Sequence, residues 1–343
     1  MKKKSFRIFL KITAAGILAF LGLTVFCGLY YNVPAHASSD DRATDYKWAA
    51  NTFYSRGTEG FAWGRTNNDG YINPVDYQAG MPVDILIMGS SHMEAFQVAM
   101  EDSTAGRLAA LLPEKTVYNI GISAHNLLNC AQNLEAAVEK YRPADYVVID
   151  TATVVFPDDL LQETVAGVLP EISVTTGGIA GLLEHNPFLR RSAAQLQSFQ
   201  KKEAGNDEEA QPSTQQPVAE NSEAPLNALL QKMQTDAAKS GAKLVIVFHP
   251  SLHLNKDGTL EIERDDEQTA HFSRLCTQNG ILFLDMSERF LEEYQSCYRL
   301  PYGFTNSSAG TGHLNVTGHR LVAEALWEAF EDVVQLHLHL LIF

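Results

Sequence analysis

Cysteine is scarce, four residues in 343, with no Cys-x-x-Cys and no Cys/His pair at ligand spacing. That excludes a disulfide-built scaffold and leaves no sign of a zinc site. A Cys276–Cys297 bridge with Cys130 free is one reading; buried free thiols are the other. Basic residues are also in deficit: 26 Lys and Arg against 41 Asp and Glu give a formal charge of -15, so no polybasic surface invites nucleic acid. There is no internal repeat, and a single long apolar run excludes a polytopic membrane protein. What remains, 45% hydrophobic and 20% charged, is globular composition, with length for one large domain or two small ones.

The apolar run covers residues 12–31 and carries no charge. Lys2, Lys3, Lys4, Arg7 and Lys11 precede it, and Asp40 and Asp41 follow. Its length suits a bilayer-spanning helix, and the lysines on one flank predict an N-in, C-out orientation. The rival is a cleaved signal peptide, for which Ala35-His36-Ala37 offers a small-x-small site, although such apolar regions usually run only about 7–15 residues. Both readings put the rest of the chain outside the cytoplasm. Thr24-Val25-Phe26 is a poor lipobox for Cys27.

Residues 34–79 are polar with scattered aromatics and read as a stalk packing partly onto a domain. Beyond it, the apolar runs 83–88, 117–120, 146–149, 243–248 and 281–284 suit strands buried on both faces of a parallel sheet. Helical segments at 104–112, 127–140, 226–239, 267–278 and 317–333 separate them, and a further helix is expected over 93–100. The alternation predicts a doubly wound α/β domain with ligands at the carboxyl ends of its strands. Residues 197–225, rich in Glu, Gln, Ala, Ser and Pro, read as a disordered surface insertion. The tail 336–343 alternates in part, as an extra edge strand would.

Two loops carry chemistry. Gly89-Ser90-Ser91-His92 follows the first strand of the sheet, where a strand-to-helix turn exposes a hydroxyl and offers backbone N–H groups and a helix dipole to an oxyanion. Gly310-Thr311-Gly312-His313-Leu314-Asn315 precedes the last helix, and a histidine there can reach the same edge. A serine hydroxyl needs such a base to attack anything near neutral pH. His319, inside the helix start, is expected to pack rather than react.

Read together, Gly89-Ser90-Ser91-His92 and His313-Leu314-Asn315-x-x-Gly318-His319 resemble the SGNH/GDSL hydrolase superfamily, and within it the extracytoplasmic, membrane-anchored branch of polysaccharide O-acetylesterases and O-acyltransferases. The resemblance covers about residues 80–335. It implies a three-layer α/β/α sandwich with a five-stranded parallel sheet. The chain then divides into a cytoplasmic basic segment 1–11, the anchor or signal 12–33, the stalk 34–79, the hydrolase-like domain 80–335 with its insertion at 197–225, and a tail 336–343. Ser91 becomes the nucleophile and His313 its base. Ala124, with Gly121 as the near alternative, takes the place of the second-block oxyanion donor. The third-block asparagine is absent, leaving Thr151 or Thr153. Gly310 stands where the family's orienting aspartate belongs, so Asp285 is the candidate acid or a Ser–His dyad operates. His92 and His249 are expected to line the substrate cleft. Trp63 and Tyr71 form a sugar platform or anchor the stalk. No cofactor or metal is implied, and the partners are an acylated carbohydrate and the membrane. Ester hydrolysis, O-acyl transfer and non-catalytic polysaccharide binding on the same fold all remain open.

Overall fold

A computed structural model describes residues 2–172, 186–203 and 223–342. Helix α1 (Lys2–Tyr30) takes in the apolar run up to Tyr30, with neither proline nor charge inside the run to stop it. By length and composition, Lys4–Tyr30 is long and apolar enough to cross a membrane, and only 6% of its most apolar window is buried against protein. Four short strands follow: β1 (His36–Ser38), β2 (Tyr46–Trp48), β3 (Phe53–Arg56) and β4 (Ala62–Arg65), paired antiparallel as β1–β2 and β3–β4. The segment expected as a stalk is thus folded structure. Its aromatics Tyr46, Trp48, Tyr54 and Tyr71 are buried in the core of the main domain, which fixes this segment against the sheet.

The sheet is built from β5 (Ile85–Met88), β6 (Val117–Asn119), β7 (Tyr146–Thr151), β8 (Lys243–Phe248) and a later strand; between them lie α2 (Ser91–Glu94), α3 (Thr104–Leu111), α4 (Leu127–Tyr141), α5 (Asp158–Val165), α6 (Pro187–Glu203) and α7 (Glu223–Ala238). A hairpin of β9 (Ser251–Leu254) and β10 (Leu260–Glu263), helix α8 (Asp266–Gln278), strand β11 (Leu282–Asp285), α9 (Ser287–Cys297) and α10 (Val316–Ile342) complete the chain. All five sheet strands are parallel, in the order β6-β5-β7-β8-β11. Alternate residues serve opposite faces, as the two-residue strand period demands. Leu86, Val147, Ile149 and Ile246 pack with α4 and α7, whereas Ile87, Val148, Val245 and Val247 pack with α3 and α10. The result is the expected three-layer α/β/α sandwich. Strand order reverses between β5 and its neighbours β6 and β7, which opens a crevice at their carboxyl ends.

Local chemistry sets the boundaries. Asn126 accepts the amides of Leu128 and Asn129 while Asn129 returns a bond to Asn126, a capping box that starts α4. The helix stops at Arg142, left-handed at φ 47° and followed by Pro143.

Several expectations change. The helix expected over 93–100 is one turn, because Ala95 turns left-handed at φ 59°. The tail does not add an edge strand: α10 runs on to Ile342, since no Gly or Pro interrupts a leucine-rich sequence with strong helix preference. All four cysteines are unpaired. Cys276 is buried in α8 and Cys297 is exposed, so no Cys276–Cys297 bridge forms. Of the insertion read at 197–225, residues 204–222 lie outside the described residues; 197–203 continue α6 and 223–225 begin α7.

Candidate active site

Ser91 is the first residue of α2, immediately beyond β5, and His313 lies in the loop before α10. The turn between strand and serine needs glycine. Gly89 sits at φ 151°, and a Cβ there would lie 1.8 Å from Oδ1 of Asp150. Ser90 caps the short helix by accepting the amide of His92. The two loops, 222 residues apart, meet: His313 Nε2 is 2.9 Å from Ser91 Oγ.

The other side of His313 is held by a residue the sequence reading did not single out. Glu59, in the β3–β4 connection, takes His313 Nδ1 at 2.5 Å on one oxygen and the His313 backbone amide at 2.7 Å on the other. Burial would raise the Glu59 carboxyl, but these two bonds together with the charges of His313 and Arg56 outweigh it and hold the group below its usual value. An ionised carboxylate accepts only, so Nδ1 carries the proton and Nε2 presents its lone pair to the serine hydroxyl. The connection is built for this contact. Asn306 donates to the carbonyls of Gly57 and Gly60 and accepts the Gly60 amide at 2.8 Å. At Gly312, φ 84°, a Cβ would sit 2.2 Å from the Glu59 carboxylate.

Asp285 is not the orienting acid. Its carboxylate takes Arg264 on one oxygen and the amide and hydroxyl of Ser287 on the other; it caps the strand end and does not contact His313. The only hint of Glu59 in the sequence was an acid between glycines in an aromatic segment, Gly57-Thr58-Glu59-Gly60. Its partner is 254 residues away, and no local pattern links them.

A second polar cluster lies beneath the first. Asp150, at the end of β7, accepts the Ser90 amide and hydroxyl, both at 2.7 Å, and His249 Nε2 at 2.8 Å. His249 also bonds Tyr302 through Nδ1 at 3.1 Å. Both Asp150 and His249 are buried, so His249 does not line an open cleft as expected. His92 stands between the clusters, its ring 4.5 Å from that of His249 and 5.2 Å from that of His313. Burial and then the neighbouring histidines hold its pKa well below the usual value. Its Nδ1 accepts the Leu314 amide at 3.2 Å, which leaves the proton on Nε2. His319 is buried on Thr104 at 2.9 Å, and burial pushes it down to about 3, so it packs as a neutral ring.

The residues expected as oxyanion donors sort by what already occupies them. Gly121 gives its amide to Asn119. Thr151 gives its hydroxyl to the Thr153 carbonyl, and Thr153 gives its own to Val155. The Ala124 amide, in a residue at φ 67°, has no protein partner among the described residues. Ala124 follows Ser123, which Glu94 and Tyr46 hold by hydroxyl and carbonyl. Glu94 also accepts Trp48 Nε1 at 2.6 Å, and burial pushes its carboxyl up to about 7 against those bonds.

No family model and no curated protein matches the chain. Among solved structures it is similar to a two-domain esterase active on acetylated mannans, with 13% identity over 74% of this chain and 50% of that one and a TM-score of 0.41. The chain therefore spans half of that enzyme's length. It is also similar to the acetyl xylan esterase AlAXEase, at 15% identity over 71% of this chain and 98% of that one, TM-score 0.40. A member of the lipolytic G-D-S-L family from Veillonella parvula DSM 2008 matches at 12% identity over 72% and 97%, TM-score 0.37. Identities and scores this low leave the functional reading to rest on the loops themselves.

Proposed function

We propose that this chain is an extracytoplasmic, membrane-anchored serine ester hydrolase of SGNH/GDSL type that removes O-acyl groups from carbohydrate. The observation that carries it is the line Ser91 Oγ, His313 Nε2, His313 Nδ1, Glu59, joined at 2.9 and 2.5 Å. Distances of this order let a neutral imidazole take the hydroxyl proton as the oxygen attacks.

Ser91 Oγ attacks the ester carbonyl carbon and its proton passes to His313 Nε2. Glu59 stabilises the imidazolium and keeps it oriented. The amides of Ser91 and Ala124 receive the developing oxyanion. The intermediate collapses, the C–O bond breaks, and His313 returns the proton to the departing sugar hydroxyl. Water, deprotonated by His313, then releases the acid and restores Ser91. Location outside the cytoplasm follows from the lysine-flanked span, and the acylated carbohydrate substrate from the resemblance of the serine and histidine loops.

The test is hydrolysis of p-nitrophenyl acetate and release of acetate from acetylated glycan by the purified full-length chain. Activity should vanish in S91A and in H313A with circular dichroism unchanged. Esterase activity that survives S91A sinks the proposal. Acetyl groups appearing on an added glycan, in place of free acetate, reassign the second half-reaction to transfer. A chain that binds acetylated polysaccharide without turnover is the non-catalytic reading.

A further inference from the structure

The β3–β4 hairpin that supplies Glu59 is fastened to the end of α1. Ser55, in β3, donates its hydroxyl to the Gly28 carbonyl of α1 at 3.2 Å and exchanges bonds with the Asn32 backbone at 2.7 and 3.0 Å. Asn32 reaches back to the Phe53 carbonyl at 2.6 Å. At Gly57 a Cβ would lie 2.8 Å from the Tyr30 carbonyl. Hairpin and helix end therefore move as one piece.

Register fixes which face of the hairpin meets the helix. Phe53 pairs with Arg65 and Ser55 with Trp63, and directly opposed residues of an antiparallel pair share a face. Phe61, two residues before Trp63, points the same way. The opposite face carries Tyr54 and Ala62, both buried in the domain. So the face turned toward α1 is the one bearing Phe53, Phe61 and Trp63. These are not covered: Trp63 is 66% exposed, Phe61 54% and Phe53 38%. The patch is continuous with the helix, since Phe61 lies 5.5 Å from Tyr30 and Tyr30 lies 4.9 Å from Phe26, ring to ring, and both helix rings are themselves exposed. Arg190 and Arg191 stand at the same level, Arg190 on the Tyr31 carbonyl and Arg191 over the Tyr31 ring.

An aromatic surface of this extent is uncommon on a chain surrounded by water. At the end of a bilayer span it has a natural occupant, because Trp, Tyr and flanking arginines favour the headgroup layer, where a ring buries its apolar body and keeps its polar edge wet. We infer that Phe53, Phe61 and Trp63 seat the hairpin in the headgroup layer of the bilayer that α1 crosses. This inference rests on reading α1 as an uncleaved anchor. Its consequence is positional: Glu59 sits in the connection between the two seated strands, so His313 and Ser91 are held beside the lipid surface and serve acyl esters presented there.

A surface depression of about 730 Å³ beside the hairpin, lined by Trp63, Arg65, Asn73, Asp76 and Glu101 among others, gives the rival occupant, a glycan. Tryptophan fluorescence separates the two. Trp48 is buried, Trp327 is half-buried and Trp63 is open, so an environment-sensitive change belongs to Trp63 and is subtracted with W63F. The full chain is reconstituted into phosphatidylcholine–phosphatidylglycerol vesicles with and without lipids brominated near the headgroup end of the acyl chain. The expected result is a blue-shifted component quenched by bromolipid, protected from iodide, and lost in W63F. A Trp63 component quenched by iodide and indifferent to bromolipid, in a chain that floats with the vesicles, overturns the seating and leaves the anchor standing. A chain that does not float overturns both. Emission that responds to acetylated mannan and not to bromolipid gives the face to carbohydrate and overturns the proposal.

Discussion

Two serine–histidine–carboxylate clusters lie side by side on neighbouring residues of one turn, and they differ in order and in access. In the outer cluster the histidine is in the middle: Glu59 takes one ring nitrogen and Ser91 meets the other. In the inner cluster the carboxylate is in the middle: Asp150 takes Ser90 on one side and His249 on the other. The outer histidine can accept a serine proton because its acid holds the remaining proton away. The inner serine has already committed its proton to Asp150, and its histidine never touches it. The outer members are partly open to solvent, whereas the inner acid and histidine are sealed. Composition is thus a weak guide to catalysis; connectivity and exposure decide which triplet can react and which holds the turn in shape.

The comparison can be broken most sharply at the outer acid. E59Q leaves Ser91 and His313 in place but no longer enforces the tautomer, and kcat should fall about 10²–10⁴-fold, with D285N unchanged from wild type. Equal activity in E59Q would make the site a dyad. At the inner acid, D150N sets an amide donor against the donors of Ser90 and His249 and should cost about 1–3 kcal/mol of stability. It should lower Tm while kcat of the folded fraction stays within about tenfold, since Asp150 bonds Ser90 and His249 and neither Ser91 nor His313. Loss of turnover as deep as that of E59Q at unchanged Tm would erase the distinction between the clusters.

Glu94 sharpens the contrast through pH. It is buried, and its carboxyl is raised from 4.5 to about 7, so the native state holds a proton that the unfolded chain releases. Stability therefore falls as pH climbs from about 4.5 toward 7 and levels off above, by up to about 3 kcal/mol. E94Q should flatten that slope in denaturant titrations across the range, its oxygen facing Trp48 and its amide facing Ser123. A slope unchanged in E94Q assigns it elsewhere. The smallest effect is expected at Asn306, which pins the Glu59 connection from an exposed position. N306A should lower kcat about tenfold with KM and Tm unchanged, and N306D, which keeps only the acceptor for Gly60, should fall between. A stability loss without a kcat loss would make Asn306 merely structural.

Most of the sheet was legible because parallel strands buried on both faces are apolar throughout. Runs such as YVVI and KLVIVF can hide nowhere else, and their helices announce themselves with caps and stops. The serine and histidine loops were legible for a related reason: each follows or precedes a regular element and is marked by glycines. What escaped depends on distance along the chain. Glu59 belongs to an irregular segment whose fold is set by aromatics docking into the domain, and nothing local distinguishes its carboxylate from a surface one. The one-turn α2 escaped because Ala95 adopts a left-handed backbone that its residue type does not favour. Asp150 was visible only as the place where an asparagine was missing; that it grips Ser90 depends on Gly89 having no side chain.

Glu59, the carboxylate bonded to His313, is encoded ahead of the sheet, within thirty residues of the end of α1. A fragment trimmed to start at β5 would keep Ser91 and His313 but lose Glu59, and with it the core aromatics Tyr46, Trp48, Tyr54 and Tyr71. On the proposed mechanism, trimming α1 together with the hairpin removes the acid of the relay along with the apolar helix, so that fragment should show no esterase activity even with Ser91 and His313 intact.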